Sequence, residues 1–107
     1  MSITLNIYYC GKDSSARAFA REMLDSGTVA AIRAENGNLR YEYFFPAEDP
    51  QTVLLIDSWC DQAALDKHHG SPIMDRIEEM REKYDIHMKV ERYIPDEDRP
   101  SDGAFIR

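Results

Sequence analysis

Two side chains near the middle of this 107-residue sequence, His68 and Asp57, could move protons near neutral pH. An imidazole titrates in this range and can take a proton from a phenol or an enol. Asp57 follows Val53 and Leu55 and precedes Trp59 at a spacing of two residues, so it shares a strand face with large apolar groups that would raise the pKa of its carboxyl. Two structural interpretations stay open: His68 as an exposed histidine at a helix end, and Asp57 as a hydrogen-bonding partner for a neighbouring residue.

The remaining histidines and cysteines favour structural roles. His69 points about 100° away from its neighbour His68 around a helix, so the two are not expected to face one cavity. His87 shares a strand face with Lys89 and Glu91 and is expected to face solvent. Cys10 and Cys60 form no CxxC pair and have no Cys or His partners at zinc spacing, so we expect free thiols and no metal site. The sequence also lacks a glycine-rich phosphate loop and a Gly-x-Ser-x-Gly motif.

Composition excludes several classes of partner. Thirteen basic and twenty acidic residues give a net charge of -7, with the acids spread through the chain, which argues against a nucleic-acid or anionic membrane surface. No apolar run approaches the roughly 20 residues of a membrane span, and the N-terminus lacks the features of a signal peptide. We therefore predict a single cytoplasmic domain.

The hydrophobic periodicity predicts an α+β protein with the order βαββαβ and an extra short helix on each side of the central hairpin. Residues 28–34 suit a short helix better than a strand, although their β-branched content is compatible with both. Strands are expected at about 3–10, 38–45, 52–59 and 86–94, and helices at about 14–27, 28–34, 61–69 and 72–84. In the second strand, Leu39 should share one face with Tyr41 and Tyr43. This order gives a ferredoxin-like fold for residues 1–94, with helices on one sheet face and a polar tail over residues 95–107.

The sheet face without helices is expected to be apolar. Tyr8, Phe44, Leu54 and Ile56 cannot all be buried under a single layer of helices. An exposed apolar face of this size indicates a partner sheet. We therefore predict a homodimer.

A series of short motifs runs through the middle of the chain. In order they are Gly37-Asn38-Leu39-Arg40-Tyr41-Glu42, Asp57-x-Trp59, Ala64-Leu65, His68 and Ser71-Pro72. This order resembles the antibiotic biosynthesis monooxygenase family, which includes quinol monooxygenases, and the resemblance covers about the first 94 residues. It implies a dimeric α+β barrel in which two such sheets pair.

The resemblance also implies an activity and a set of site residues. The activity would be oxidation of a small aromatic molecule, quinol or polyketide-like, without a tightly bound flavin or metal. Catalytic roles would fall to His68, Asp57 and Asn6, with Asn6 as a hydrogen-bond donor to the substrate or a peroxide. Tyr41, Trp59 and Tyr8 would bind the aromatic ring. The family commonly has a glutamate at the position of Asp57, so the shorter side chain departs from its pattern.

Three other functions remain open. A non-catalytic dimer that binds a small hydrophobic ligand would have the same sequence features. Haem-degrading relatives also carry an asparagine on the first strand, as Asn6 does here, but their haem-ligating histidine would fall near Ile77, where there is none. Isomerases of this superfamily carry His-x-x-x-Pro-His, whereas here His68 and Pro72 are followed by Ile73.

Overall fold

The computed structural model describes all 107 residues, Met1–Arg107. Four strands and four helices follow one another in the order that the periodicity predicts. The strands are β1 (Ile3–Cys10), β2 (Asn38–Phe44), β3 (Thr52–Trp59) and β4 (His87–Tyr93), and the helices are α1 (Ser15–Asp25), α2 (Thr28–Arg33), α3 (Gln62–His69) and α4 (Ile73–Lys83). Short 3₁₀ turns cover Lys12–Ser14 and Pro100–Phe105.

The strands form one antiparallel sheet in the order β2-β3-β1-β4. This strand order and the helical crossovers are those of the ferredoxin-like fold, so the predicted fold class is confirmed. Side chains of β1 alternate between buried and half-buried from Ile3 to Tyr9, because successive residues of a strand point to opposite faces. We call the face that the helices cover the inner face and the opposite one the outer face.

The core lies between the inner face and the helices. Its buried side chains come from all four helices and from β1, β2 and β3, and they include Ile7, Phe19, Ile32, Trp59, Leu65 and Ile77. Met88 and Val90 on β4 stay 42% and 48% exposed. The inner face is therefore closed over the middle of the sheet and open at its β4 edge.

Three local details differ from or extend the sequence expectations. Leu39 is 59% exposed rather than sharing the buried face of Tyr41, because a register shift between Asn38 and Arg40 interrupts the alternation at the start of β2. Asp61 caps α3 as its type predicts, accepting a hydrogen bond from the Ala64 N–H at 2.8 Å. The tail after β4 contains a 3₁₀ turn, but none of the residues in that turn is buried.

None of the helices is long and apolar enough to cross a lipid bilayer.

Candidate functional site

A cavity of about 250 Å³ lies between helices α3 and α4 and the inner face of the sheet. Two of its lining residues, Met88 and Val90, are among the exposed apolar side chains of β4, so the cavity opens at the β4 edge. Most of the lining is apolar. The thirteen lining residues are Leu5, Ile7, Tyr9, Tyr41, Leu55, Asp57, His68, His69, Met74, Ile77, Arg81, Met88 and Val90.

His68 is a buried wall of this cavity and is only 3% exposed. Its ring stacks on Trp59, with 4.7 Å between centroids and 28° between planes. Its Nδ1 lies 2.9 Å from Glu35 Oε2. Because a carboxylate can only accept, Nδ1 carries the proton in this pair, which leaves the Nε2 lone pair free in the neutral ring. The helix-end position therefore gives a buried, oriented imidazole and not an exposed one.

Asp57 is the carboxyl group of the cavity wall. It lies in the centre of the inner face, opposite Tyr41 on β2 and Leu5 on β1. Trp59 Nε1 donates a hydrogen bond to Asp57 Oδ1 at 2.8 Å. Burial raises the pKa of Asp57 to about 7; the Trp59 hydrogen bond lowers it and the charge of Glu35 raises it. The carboxyl is thus divided between its two protonation states near neutral pH, which suits proton transfer.

Trp59 holds the two titratable groups in place from behind. It is fully buried and does not line the cavity, although both Asp57 and His68 contact it. Tyr41 does line the cavity, and burial raises the pKa of its hydroxyl well above the usual value. Tyr41 is therefore a neutral phenol that can bound an aromatic ring.

Asn6 and Tyr8 do not reach this cavity. They lie on the outer face, where Asn6 is opposite Ile56 and Tyr8 is opposite Leu54. The cause is the alternation along β1, which sends Leu5, Ile7 and Tyr9 inward and the residues between them outward. The structure therefore groups His68, Asp57, Trp59 and Tyr41, and it separates Asn6 and Tyr8 from them.

Sequence reasoning missed two charged residues of the site. Glu35 lies in the turn between α2 and β2, 33 residues from its partner His68, and Arg81 lines the cavity from α4. Neither belongs to a local motif with chemical meaning. An acid just before the Asn36-Gly37 turn was the only available signal, and it does not reveal which distant side chain the turn approaches.

His87 and the cysteines lie as the sequence suggested, but His69 does not, because it lines the same cavity as His68 despite the angle of about 100° between them. His69 borders the cavity at its exposed side, with its ring centroid 5.7 Å from that of His68. His87 is 82% exposed at its side chain and lies 3.5 Å from Asp85. Cys10 and Cys60 are free, exposed thiols. No cluster of three or more His, Cys, Asp or Glu side chains could hold a metal ion.

Solved structures of similar fold come from several organisms. The protein PA3566 of Pseudomonas aeruginosa is 26% identical, with a TM-score of 0.75 over 90% of this chain and 95% of that one. A conserved protein of Methanosarcina mazei Go1 is 18% identical, with a TM-score of 0.76 over 90% and 94%. SnoaB, a cofactor-independent oxygenase of Streptomyces nogalater, is 12% identical, with a TM-score of 0.73 over 92% and 97%.

Sequence comparison identifies the family. A search of curated protein sequences finds no match to this chain. The family model described as antibiotic biosynthesis monooxygenase matches residues 2–80, which include β1 to β3, all of α3 and most of α4. Asp57, Trp59, His68 and Glu35 all fall inside this match. The chain therefore belongs to the antibiotic biosynthesis monooxygenase family.

Proposed function

We propose that this protein is a monooxygenase that oxidises a small electron-rich aromatic molecule without a tightly bound cofactor. The observation that carries the proposal is the placement of Asp57, with a pKa of about 7, and the buried His68 in the wall of one apolar cavity. Family membership and the fold shared with SnoaB, a cofactor-independent oxygenase, support the same reaction type.

The chemistry needs only a base and a dry site. A hydroquinone that loses its proton becomes electron-rich enough to transfer an electron to O2. In the complete reaction one oxygen atom is added to the ring, the hydroquinone becomes a hydroxyquinone, and the second oxygen atom leaves as water. The substrate supplies all four electrons that O2 accepts, so no external reductant is required. The protein contributes orientation, exclusion of water and proton transfer.

Each residue of the site has a role in this proposal. Asp57 is the base that takes the hydroxyl proton, and His68 Nε2 is a second acceptor. Glu35 is a positioning residue, because its hydrogen bond to Nδ1 sets the tautomer of His68. Tyr41 bounds the aromatic ring. Asn6 and Tyr8 have no part in it, since they lie on the other side of the sheet.

We also propose that the protein is a homodimer that pairs through the outer face. Tyr8, Leu54, Ile56 and Phe44 lie there with no helix over them, and all four are only half-exposed in the isolated chain. Pairing two such faces would remove a large apolar surface from water.

Oxygen consumption with a panel of benzo- and naphthohydroquinones tests the function. We expect uptake above the buffer rate by the wild-type protein, and a loss of about 100-fold or more in Asp57→Asn, the usual range for removal of a general base. Glu35→Gln should lower the rate less, because the His68 ring stays stacked on Trp59. The acidic limb of the wild-type pH profile should lie near pH 7.

Two exposed positions provide matched controls. Asp25→Asn and Glu48→Gln make the same two changes away from the cavity, and both should keep the wild-type rate. Equal rates in Asp57→Asn and wild type would contradict the role of Asp57. Ligand binding with no uptake across the panel would favour the non-catalytic binding protein instead.

A further inference from the structure

Arg81 is the only side chain in the cavity wall with a permanent positive charge, because an arginine stays protonated in proteins whereas a histidine can be neutral. It is partly buried on α4, and its guanidinium carbon lies 5.9 Å from the centre of the Tyr9 ring. Its Nε is buried and has no hydrogen-bond partner in the chain. Because Nε is closed off from solvent, a ligand in the cavity would bind through the two terminal nitrogens of the guanidinium, which are not buried in this way.

No carboxylate of the chain neutralises Arg81. The six ion pairs of the protein involve other residues. Asp57 is the only acid in the cavity lining, and it accepts its hydrogen bond from Trp59. Glu35, which lies outside the lining, is paired with His68. The guanidinium interacts with the Tyr9 hydroxyl, which is a neutral group, so its charge remains available to a negatively charged ligand.

The rest of the lining limits the size of that ligand. Nine of the thirteen lining residues are hydrophobic, and the cavity volume of about 250 Å³ lies below the roughly 300–1,000 Å³ of pockets that bind drug-sized ligands. One ring or two fused rings fit this space better than an extended polyketide. A guanidinium can bind both oxygens of a carboxylate with two parallel hydrogen bonds, which gives direction as well as attraction.

We propose that the substrate is a small hydroxylated aromatic acid whose carboxylate binds Arg81 while its hydroxyl faces Asp57 and His68. This inference rests on the proposed function, since it names the substrate class of the same site. It assigns Arg81 to substrate specificity and leaves proton transfer to the other two residues.

Binding of matched ligands that cannot be oxidised tests the inference. The probes are 2-naphthoate and 2-naphthamide, which have nearly the same shape but differ in charge, titrated calorimetrically into the 107-residue protein. We expect the carboxylate to bind about tenfold or more tightly than the amide. Arg81→Met should remove this preference, with a loss of about tenfold to a hundredfold for the carboxylate and little change for the amide.

Two further variants keep the result interpretable. Arg81→Lys keeps the charge without the planar fork and should retain part of the preference, whereas Arg99→Met removes an exposed arginine of the tail and should change nothing. Equal binding of both probes, an equal loss of both in Arg81→Met, or no binding of either would overturn the inference. Oxygen uptake with neutral hydroquinones alongside such a result would leave the proposed function standing.

Discussion

At the scale of single residues, the site depends on strand β3, which places the carboxyl of Asp57 and the indole of Trp59 on the same face. Asp57 lies between apolar residues on the inner face of β3, and this burial raises its pKa to about 7. Trp59, two residues on, donates to it and also supports His68. A spacing of two residues along β3 thus puts Asp57 and its hydrogen-bond donor Trp59 on the same face, while the imidazole of His68 comes from helix α3.

The raised pKa of Asp57 should appear in the stability of the protein. Its folded-state pKa of about 7 lies above the unfolded value of about 4, so the folded chain holds the proton more tightly. The contribution of Asp57 to the unfolding free energy is therefore most favourable below pH 4 and decreases as the pH rises to about 7. The full change is on the order of 4 kcal/mol.

Asp57→Asn removes this titration. We expect the unfolding free energy of the variant, relative to wild type, to increase by roughly that amount between pH 4 and pH 7 and to be constant above pH 8. Urea denaturation at a fixed protein concentration measures it, with Asp25→Asn as an exposed control that should show no such trend. A difference between variant and wild type that does not vary with pH would refute the assignment.

At the scale of elements, the turn between α2 and β2 brings Glu35 to α3. Gly37 lies at its tip with a φ of +91°, which favours glycine. The Cys60 N–H donates to the Gly37 carbonyl at 2.8 Å, so the turn is fixed against the start of α3. A Cβ on Gly37 would lie 2.6 Å from Ala64 Cβ and 2.9 Å from Cys60 Sγ. The close contact of this turn with α3 therefore requires a glycine.

Gly27 offers a matched comparison for this requirement. It also has a positive φ, +81°, but nothing lies within 4 Å of the position of its Cβ. Gly27→Ala should cost about 1 kcal/mol for the backbone alone, and Gly37→Ala about 3 kcal/mol because overpacking is added. Chemical denaturation of both variants measures the difference. Equal losses would show that the turn can move away from α3 without cost.

At the scale of the whole molecule, the sheet has two unlike faces. The inner face holds the core and the cavity, whereas the outer face carries half-exposed apolar groups that include Leu54 and Ile56. The exposed aromatic Phe105, which is 90% accessible, is a second apolar feature of the isolated chain. The outer face is the basis of the proposed homodimer. The location of the protein in the cytoplasm stays a prediction.

A charge in the middle of the outer face should separate the proposed dimer. We expect the wild-type protein to show twice the 12.4 kDa chain mass by light scattering, and Leu54→Glu to show one chain mass, because pairing would bury an uncompensated carboxylate. Ala31→Glu places the same charge at an exposed position of α2, on the other side of the sheet, and should leave the mass unchanged. A monomeric wild type would exclude the proposal.

The sequence by itself determined the fold class and part of the site. The direction of a side chain repeats every two residues in a strand and every 3.6 residues in a helix, so nearby residues are enough to predict each element. The order of strands and helices, and the burial of Asp57 beside Trp59, could therefore be predicted from the sequence. The family motifs around His68 added the resemblance to a monooxygenase. The exposed position of His87 and the free thiols also followed from local pattern.

Only the tertiary structure decided which side chains meet. Glu35 reaches His68 across 33 residues, and Arg81 reaches the cavity from α4, because packing of the turn and helices on the sheet brings them there. The same sheet separates Asn6 from the cavity, although Asn6 and Leu5 are adjacent in sequence. A motif records residue types along the chain, whereas the face of the sheet on which each side chain lies decides whether it can share a site.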